Sequence, residues 1–542
     1  MFRTFVLCSL AFVFYLGKVS GQTPTAAATV RPKLVVGIVV DQMRWDYLER
    51  FQQRFGDSGF NRMLREGFSA DNTLIPYTPT YTAAGHASIY TGSVPAMNGI
   101  IGNNWFSRET GEDMYCVEDQ FVTTVGSGSY AGQMSPKNLW ASTISDELRL
   151  STNFRSKVIG IALKDRGAIL PAGHSANGAF WFDNSTGGWI TSSFYMRELP
   201  KWLQQFNSRR VAADLMDKDW NTLYPIETYT QSTADDKTFE GPIPGDKNRF
   251  PHELSKVRND KFNSFRYTPM ANDFTIQTAM AAIEGEGLGQ DEFTDLLTVS
   301  FSSPDYIGHA FGPNSVEIED TYLRLDRDLG KFFSYLDQKI GKGNYLVFLS
   351  ADHGAAHVPQ FLRENRIPAG IIEDAVIQRN LTDSVKVKFG ISNAVLHVMN
   401  YQVYLNYATV GTQQEEVTKY LVQKLIAIPQ ISQAFSLTDP AQFPLPEKVA
   451  RRVKNGYNQK LSGDIQFIFR PHFFDGGLKG TTHGSWNPYD AHIPNLWLGW
   501  HIKPGRTSRE VYMTDIAATL AALLKIQVPS ACIGEPIPEL VP

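Results

Sequence analysis

Cysteine is scarce in this sequence, which has 3 cysteines among 542 residues. So few thiols exclude a disulfide framework and a zinc site built from cysteines. Cys8 lies in the N-terminal apolar segment, which leaves Cys116 and Cys532 in the rest of the chain. These two thiols either pair in an oxidising compartment or are both free. The sequence leaves the two alternatives open, because it does not place the thiols in space.

Long basic tracts are lacking as well, and the charges nearly cancel, with 51 Lys and Arg against 55 Asp and Glu. Electrostatic binding of nucleic acid needs clustered Lys and Arg side chains, so we expect no nucleic-acid partner. The apolar N-terminal run, residues 4–17, is shorter than the ~20 residues that a membrane-spanning helix needs.

The N-terminus instead has the pattern of a secretory signal. Arg3 precedes the apolar run, and the small residues Val19-Ser20-Gly21 follow it. We therefore expect a signal peptide over residues 1–21, a disordered leader over 22–31 and the main domain over 32–542. This places the protein in the periplasm or outside the cell, with no stable membrane span after signal cleavage.

Buried parallel strands are predicted by continuous apolar, β-branched runs, and each is followed by polar residues. In open α/β sheets, ligands bind beyond the carboxyl ends of the strands. Each polar residue alone is equally consistent with a helix cap, a polar turn or a solvated charge. The residues that follow these runs, or a related loop near the C-terminus, are Asp41, Lys164, Arg166, Asp305, His309, Asp352, His353 and His483.

Thr82 lies in an extended segment, residues 77–92, that continues into a helix of small residues. A hydroxyl at the start of a helix has backbone N–H groups and the positive end of the helix dipole beside it. Such a position suits an N-cap and equally suits a nucleophile that receives an anion. The local sequence leaves both interpretations open.

Two stretches differ from this strand pattern and are predicted to be insertions, at about residues 192–270 and 374–474. The first is irregular and rich in polar and aromatic residues. The second is interpreted as a small α+β lobe, with a helix over 413–428 and strands over 385–387, 394–398, 449–453 and 466–469.

The strand-end residues together supply three carboxylates and three imidazoles. Mixed oxygen and nitrogen ligands of this kind suit zinc. Six such ligands and a hydroxyl are too many for one tetrahedral ion and suit two, an arrangement that supports phosphoryl transfer. His472 and His492 are rivals of His483 as the third imidazole.

At this point the sequence resembles the alkaline phosphatase superfamily, which includes the nucleotide pyrophosphatases/phosphodiesterases. It is most similar to the phosphate-irrepressible, PafA-type alkaline phosphatases with a threonine nucleophile. The resemblance covers nearly the whole mature chain and is carried by the stretches VVDQMRWDYLERF, TPTYTAAGHASIYTG, NGIIGNN, LKDRGAILPAGHSANGAFWFD, SPDYIGHAFGPNS, SADHGA and TTHGS. It implies an α/β fold, a three-layer α/β/α sandwich with a mostly parallel central sheet and inserted lobes.

The resemblance also implies two zinc ions per chain. Asp305, His309 and His483 would hold one ion. The other would be held by Asp41, Asp352, His353 and Thr82. Thr82 would also be the nucleophile and form a phosphothreonine intermediate.

The substrate side chains follow from the same resemblance. Asn103, with Asn104 as its rival, would donate to a phosphoryl oxygen. Lys164 and Arg166 would contact the oxygens of a phosphate monoester dianion. His86, beside Thr82, is interpreted as a structural histidine.

The implied activity is hydrolysis of a broad range of phosphate monoesters. A phosphodiesterase or nucleotide pyrophosphatase on the same scaffold is the main alternative, and Lys164 with Arg166 argues against it. A sulfatase is disfavoured because a threonine stands where that class has cysteine or serine. An inactive binding protein is the remote alternative, since no ligand or nucleophile is missing.

Overall fold

The apolar run that begins at Leu34 forms a fully buried central strand of a ten-stranded sheet. The structure, a computed structural model, describes residues 31–438 and 443–541. The predicted signal peptide, and all of the predicted leader except Arg31, lie outside the described residues.

The long strands coincide with the apolar runs of the sequence, and several short strands lie in the polar segments between them. In chain order they are β1 Leu34–Val40, β2 Phe68–Ala70, β3 Thr73–Leu74, β4 Asn104–Phe106, β5 Asp113–Tyr115, β6 Thr124–Val125, β7 Val158–Ala162, β8 Gly178–Asp183, β9 Gly188–Ser192, β10 Asp295–Phe301, β11 Tyr345–Ser350, β12 Gly370–Ile371, β13 Val395–Met399, β14 Gln402–Leu405, β15 Ile431–Ser436, β16 Ile465–Phe469, β17 Phe473–Phe474, β18 His492–Ile493, β19 Asn495–Gly499, β20 Gly505–Thr507 and β21 Val511–Tyr512.

The α-helices connect these strands and cover the sheet. They are α1 Asp46–Arg50, α2 Phe60–Glu66, α3 Thr82–Thr91, α4 Pro95–Asn98, α5 Ile144–Ser151, α6 Asp165–Ala172, α7 Lys201–Ser208, α8 Val211–Met216, α9 Lys261–Phe265, α10 Met270–Glu286, α11 Ser303–Phe311, α12 Val316–Leu336, α13 Pro359–Glu364, α14 Asp374–Phe389, α15 Tyr407–Val410, α16 Gln414–Ile426, α17 Glu447–Gly456, α18 Pro488–Ala491 and α19 Asp515–Leu524.

The large sheet has the order β20-β2-β19-β11-β1-β10-β7-β8-β9-β6. Its centre is parallel, from β11 through β1, β10 and β7 to β8, whereas β19 and β9 run antiparallel to their neighbours in this centre. The carboxyl ends of the parallel strands therefore meet at one edge. The predicted α/β fold with a mostly parallel central sheet packed by helices is confirmed.

Two hydrophobic clusters hold helices to this sheet. The larger contains the central strands with buried residues of α10, α12 and α19. The second joins α3 and α6 to β7 and β8 through small side chains, including Ala83, Ala162 and Ala168. The small residues bring α3 close to the sheet, and this position places the start of α3 at the edge where the strands end.

The proposed second insertion contains its own antiparallel sheet, β13-β14-β16-β15, and a separate core shared with α14 and α16. Two strands predicted here are wrong. Residues 385–387 lie in α14 and residues 449–453 lie in α17. Ile377, Leu381 and Val385 are spaced by four and form one buried helical stripe, so packing overrides the β propensity of valine.

The proposed first insertion is less irregular than its composition indicates, because it includes the short helices α7, α8 and α9. Cys116, which is buried, and Cys532 are both free thiols. Within residues 31–438 and 443–541, no helix combines the length and apolarity needed to cross a membrane.

Candidate active site

The strand-end residues converge at the carboxyl edge of the parallel strands. Asp41 directly follows β1, and Lys164 lies between β7 and α6. Asp305 is in the first turn of α11 after β10, and Asp352 follows β11. Strand order alone therefore explains how residues more than a hundred positions apart meet.

One cluster consists of Asp41, Asp352 and His353, whose ligand atoms all lie within 4.8 Å of one another. His353 Nε2 is 3.6 Å from Asp41 Oδ1 and 3.3 Å from Asp352 Oδ2. His353 Nδ1 donates to the carbonyl of Gly354 at 3.0 Å, which leaves Nε2 as the acceptor. Thr82 Oγ1 lies 3.3 Å from the same Nε2.

A second cluster consists of Asp305, His309 and His483. The Nε2 atoms of His309 and His483 are 3.2 and 3.7 Å from Asp305 Oδ1. Their Nδ1 atoms donate to the carbonyls of Thr481 and Thr80, at 2.8 and 2.7 Å. The side chain of His309 is 35% exposed, so solvent reaches the site from this side.

The two clusters touch through their histidines. The rings of His353 and His483 are stacked, with centroids 3.5 Å apart and an interplanar angle of 12°. His472 and His492, the rival third imidazoles, line a different pocket beside Trp45. The structure thus brings His483 to the cluster and leaves both rivals away from it.

Both clusters have the chemistry of cation sites. Both oxygens of Asp41 and Oδ2 of Asp352 are buried without a hydrogen bond of regular geometry, although Lys164 Nζ lies 2.7 Å from Asp41 Oδ2. Buried carboxylates are costly unless a cation or donors compensate them. Burial raises the pKa of Asp41 to about 6, against the opposing effect of Lys164. Burial and the neighbouring Asp41 also raise the pKa of Asp352.

The histidines match this requirement. Burial lowers the pKa of His483 to about 3, and the neighbouring His309 adds to the shift. A neutral imidazole whose Nδ1 is held by a carbonyl presents Nε2 to a metal ion, a common arrangement around bound zinc. The residues therefore fit metal ions at both clusters.

Thr82 is the first residue of α3, and Tyr81 occupies the N-cap position. The N-cap interpretation of Thr82 is therefore wrong, although the helix begins where the sequence predicts. The N–H of the next residue, Ala83, donates to Asn103 Oδ1 at 2.9 Å. This bond orients the amide of Asn103 and leaves its NH₂ group as a donor, whereas Asn104 is exposed at the start of β4.

Lys164 lies between the clusters, with Nζ 2.7 Å from Asp41 Oδ2 and 2.5 Å from Asp305 Oδ2. Burial opposes its charge, but Asp305 and Asp41 outweigh this effect and raise its pKa. Arg166 is in the first turn of α6, so the chain does not stay extended between the two cations. Arg166 Nη1 donates to the hydroxyl of Tyr115 at 3.0 Å.

Sequence reasoning missed two residues that organise the site. Tyr115 connects Arg166 to Asp165, because its hydroxyl donates to Asp165 Oδ1 at 2.6 Å. Gln42 contacts carboxylates of both clusters. Gln42 lies inside the stretch VVDQMRWDYLERF, whereas Tyr115 lies outside all the resembling stretches, and neither residue type alone indicates a role.

His86 is buried and its ring nitrogens contact the carbonyl of Thr82 at 2.9 Å and Ser300 Oγ at 2.8 Å. These contacts agree with the structural interpretation of this histidine. Both ring nitrogens are occupied, and burial lowers its pKa to about 3.

Both proposed insertions reach the site. Arg266, from the first insertion, donates to the hydroxyl of Tyr306 at 2.9 Å, and the ring of Tyr306 lies 5.1 Å from Lys164 Nζ. Tyr401, from the second, donates to the carbonyl of His483 at 3.1 Å. Segments outside the main sheet thus contact residues of the site and residues beside it.

A profile of the type I phosphodiesterase / nucleotide pyrophosphatase family matches residues 35–486, a span that includes all the residues of both clusters. The chain belongs to this family. The family match and the relatives described next confirm the resemblance to the alkaline phosphatase superfamily and to its PafA-type members.

Two relatives are similar over nearly their whole length. The calcium-transporting ATPase of Myroides odoratus is 51% identical over 520 residues, 94% of this chain and 95% of the relative. Alkaline phosphatase PhoV of Synechococcus elongatus is 52% identical over 515 residues, 94% of this chain and 93% of the relative. The crystal structure of alkaline phosphatase PafA superposes with a TM-score of 0.92 at 49% identity, over 94% of this chain and 99% of that chain.

Proposed function

We propose that this protein is an alkaline phosphatase that hydrolyses phosphate monoesters through a phosphothreonine intermediate. The observation that carries the proposal is the pair of Asp/His clusters joined by stacked histidines, with the Thr82 hydroxyl beside one of them. The names of PhoV and PafA, relatives at about half identity, support the same activity.

The proposed cofactors are two zinc ions per chain. Oxygen and nitrogen donors suit zinc, and the two clusters offer three side-chain ligands each. Asp305, His309 and His483 would hold one ion, and Asp41, Asp352, His353 and Thr82 would hold the other. When bound, the ions would lower the pKa of the Thr82 hydroxyl and stabilise negative charge on the leaving oxygen.

Thr82 acts as the nucleophile in this proposal. Its oxygen attacks phosphorus in line, the Thr82–phosphorus bond forms, and the bond from phosphorus to the leaving oxygen breaks; the hydroxyl proton is lost to solvent and the leaving oxygen takes a proton from solvent. Water then cleaves the phosphothreonine ester, which releases phosphate and restores the hydroxyl. Thr82 is at the first position of α3, where the helix dipole favours the approaching anion.

The remaining side chains bind the phosphoryl group. Asn103, with its carbonyl held by Ala83, would donate its NH₂ to one oxygen. Lys164, released from its carboxylate partners when cations neutralise them, and Arg166, held by Tyr115, would contact the others. A monoester dianion carries one more negative charge than a diester, so these cations favour the monoester.

The alternative is a phosphodiesterase on the same scaffold, which the family's description supports. The name of the Myroides relative adds ATP as a compound to assay. The terminal phosphoryl group of ATP presents the same oxygens as a monoester, so both substrates suit one site. The remote alternative, an inactive binding protein, predicts no turnover of any of these compounds. For localisation we propose the periplasm or the exterior of the cell, on the basis of the N-terminal sequence pattern.

The test compares rates on p-nitrophenyl phosphate and bis-p-nitrophenyl phosphate with the metal-loaded protein. We expect the monoester to react faster, and Lys164→Ala or Arg166→Ala to reduce monoester kcat/KM by about 10²-fold with a smaller effect on the diester. Lys419→Ala, a lysine exposed on α16, is the control and should change neither rate. Equal or reversed rates in the unaltered protein would favour the diesterase.

A further inference from the structure

Gln42 follows the strand-end Asp41 and adopts a left-handed backbone conformation, with φ of 65°. Residues other than glycine rarely adopt this conformation unless the surroundings require it. The turn points the N–H of Gln42 at Asp352, and it donates to Oδ1 at 3.1 Å. The backbone of Gln42 therefore supports the cluster of Asp41, Asp352 and His353.

The side chain of Gln42 reaches the other cluster. Its amide Nε2 donates to Asp305 Oδ1 at 2.7 Å. This is the oxygen that faces the Nε2 atoms of His309 and His483. Gln42 is 2% exposed, so water does not compete for its amide.

Gly308 leaves the space in which this amide lies. A Cβ atom added to Gly308 would be 1.9 Å from Gln42 Oε1. Gly308 is in α11 between Asp305 and His309, so the helix that carries two predicted ligands also accommodates the amide. Any larger residue would displace the amide of Gln42.

We propose that Gln42 is a positioning residue that supports both metal clusters, through its backbone at one and its side-chain amide at the other. The inference rests on the proposed two-ion function. A neutral amide fixes the plane of the Asp305 carboxylate without adding a cation, whereas Lys164 holds the opposite oxygen at 2.5 Å. Donors behind a ligand of this kind hold it in the orientation that binds the metal.

The role of the side-chain amide of Gln42 can be tested separately from that of its backbone N–H. Gln42→Met keeps the backbone N–H and most of the side-chain volume but removes the amide. It should raise the zinc dissociation constant of the Asp305 cluster by about 10- to 100-fold and leave that of the Asp352 cluster unchanged. Gly308→Ala adds a methyl group that would displace the amide of Gln42, so it should raise the zinc dissociation constant of the same cluster.

The experiment strips the full-length protein of metal and titrates Zn²⁺ against a chromophoric chelator. His309→Ala identifies which dissociation constant belongs to the Asp305 cluster. Gln402→Met is the matched control, because Gln402 is also buried, at 3% exposure, and is hydrogen-bonded to Gln466 in the second insertion. It should leave both constants unchanged.

The inference is supported if Gln42→Met and Gly308→Ala raise only the zinc dissociation constant that His309→Ala also raises. If neither variant changes a zinc dissociation constant, or if both variants raise the two constants equally, the inference is overturned while the two-ion function stands. An unaltered protein that binds fewer than two ions would overturn the proposed function and this inference together.

Discussion

Two buried groups of acidic and histidine side chains in this molecule use their histidine nitrogens differently. At the sheet edge, His353 gives Nδ1 to a backbone carbonyl and turns Nε2 towards carboxylates. In the first proposed insertion, His252 contacts Asp246 Oδ2 with Nδ1 at 3.0 Å and Glu317 Oε1 with Nε2 at 3.2 Å. The second histidine has no ring nitrogen left for a metal ion.

The difference teaches that residue types alone do not define a metal site. His252 compensates its carboxylate neighbours itself, and those neighbours raise its pKa against the effect of burial. The carboxylates at the sheet edge, in contrast, have Lys164 as their near cation and keep buried oxygens without regular hydrogen bonds. We therefore expect metal removal to affect the sheet edge and to leave the His252 group unchanged.

The largest expected effect comes from Thr82, and it distinguishes catalysis from metal binding at the sheet edge. Thr82→Ala should lower kcat by at least about 10³-fold, because it removes the attacking oxygen, while zinc content stays near two ions. Steady-state kinetics and metal analysis of the same preparation measure both. Thr91→Ala, a buried threonine at the other end of α3, is the control and should retain activity. Substantial turnover by Thr82→Ala would contradict the nucleophile assignment.

The next effect tests the other side of the comparison. His252→Ala should destabilise the protein by about 3–5 kcal/mol, because it leaves Asp246 and Glu317 buried without their partner. Denaturant unfolding measures the loss, and zinc content should not change. His397→Ala removes a partly exposed histidine 3.7 Å from Asp113 and should alter stability by less than about 1 kcal/mol. Loss of zinc from His252→Ala would show that the group around His252 also contributes to metal binding, contrary to the comparison.

The carboxyl of Glu240, which is buried near Glu317, should also make the free energy of unfolding depend on pH. Burial, with a further contribution from Glu317, raises the pKa of Glu240 from 4.5 to about 9. Between these values the folded carboxyl keeps its proton and the unfolded one does not, so stability falls as pH rises, by up to about 1.4 kcal/mol per pH unit.

Glu240→Gln should make that decline shallower between pH 6 and 8, measured by denaturant unfolding at several pH values. Glu415→Gln is the control, because Lys419 lowers the pKa of this exposed carboxyl and both states are ionised in that range. Equal slopes for Glu240→Gln and the unaltered protein would show that Glu240 is ionised when folded.

The smallest effect concerns substrate binding at the sheet edge. Tyr115→Phe removes the hydroxyl between Asp165 and Arg166 and should raise KM for monoesters about tenfold, the value of a hydrogen bond to a charged group, with kcat little changed. Tyr130→Phe, an exposed tyrosine, is the control. An equal rise in KM for diesters would show that Arg166 does not distinguish the additional negative charge of a monoester.

The sequence predicts the sheet edge well because apolar strands and the polar residues after them are local signals. β1 with Asp41, β10 with Asp305 and β11 with Asp352 are all found where the runs end. The roles of these residues remain predictions, although the structure brings them together.

The rest depends on contacts that no local pattern encodes. Gln42 acts on Asp305 and Asp352, more than two hundred residues away. The strands predicted over 385–387 and 449–453 are helices, because apolar residues spaced by four form one buried face on each helix. The capping interpretation of Thr82 is wrong by one residue, because Tyr81, in extended conformation, is the N-cap and Thr82 is the first helical residue.

The stacked rings of His353 and His483 join the two Asp/His clusters directly, without an intervening side chain. This contact couples the orientation of one Asp/His cluster to that of the other. A backbone shift at Thr80 or Gly354, whose carbonyls accept from the Nδ1 atoms of His483 and His353, would therefore alter both clusters and not one alone.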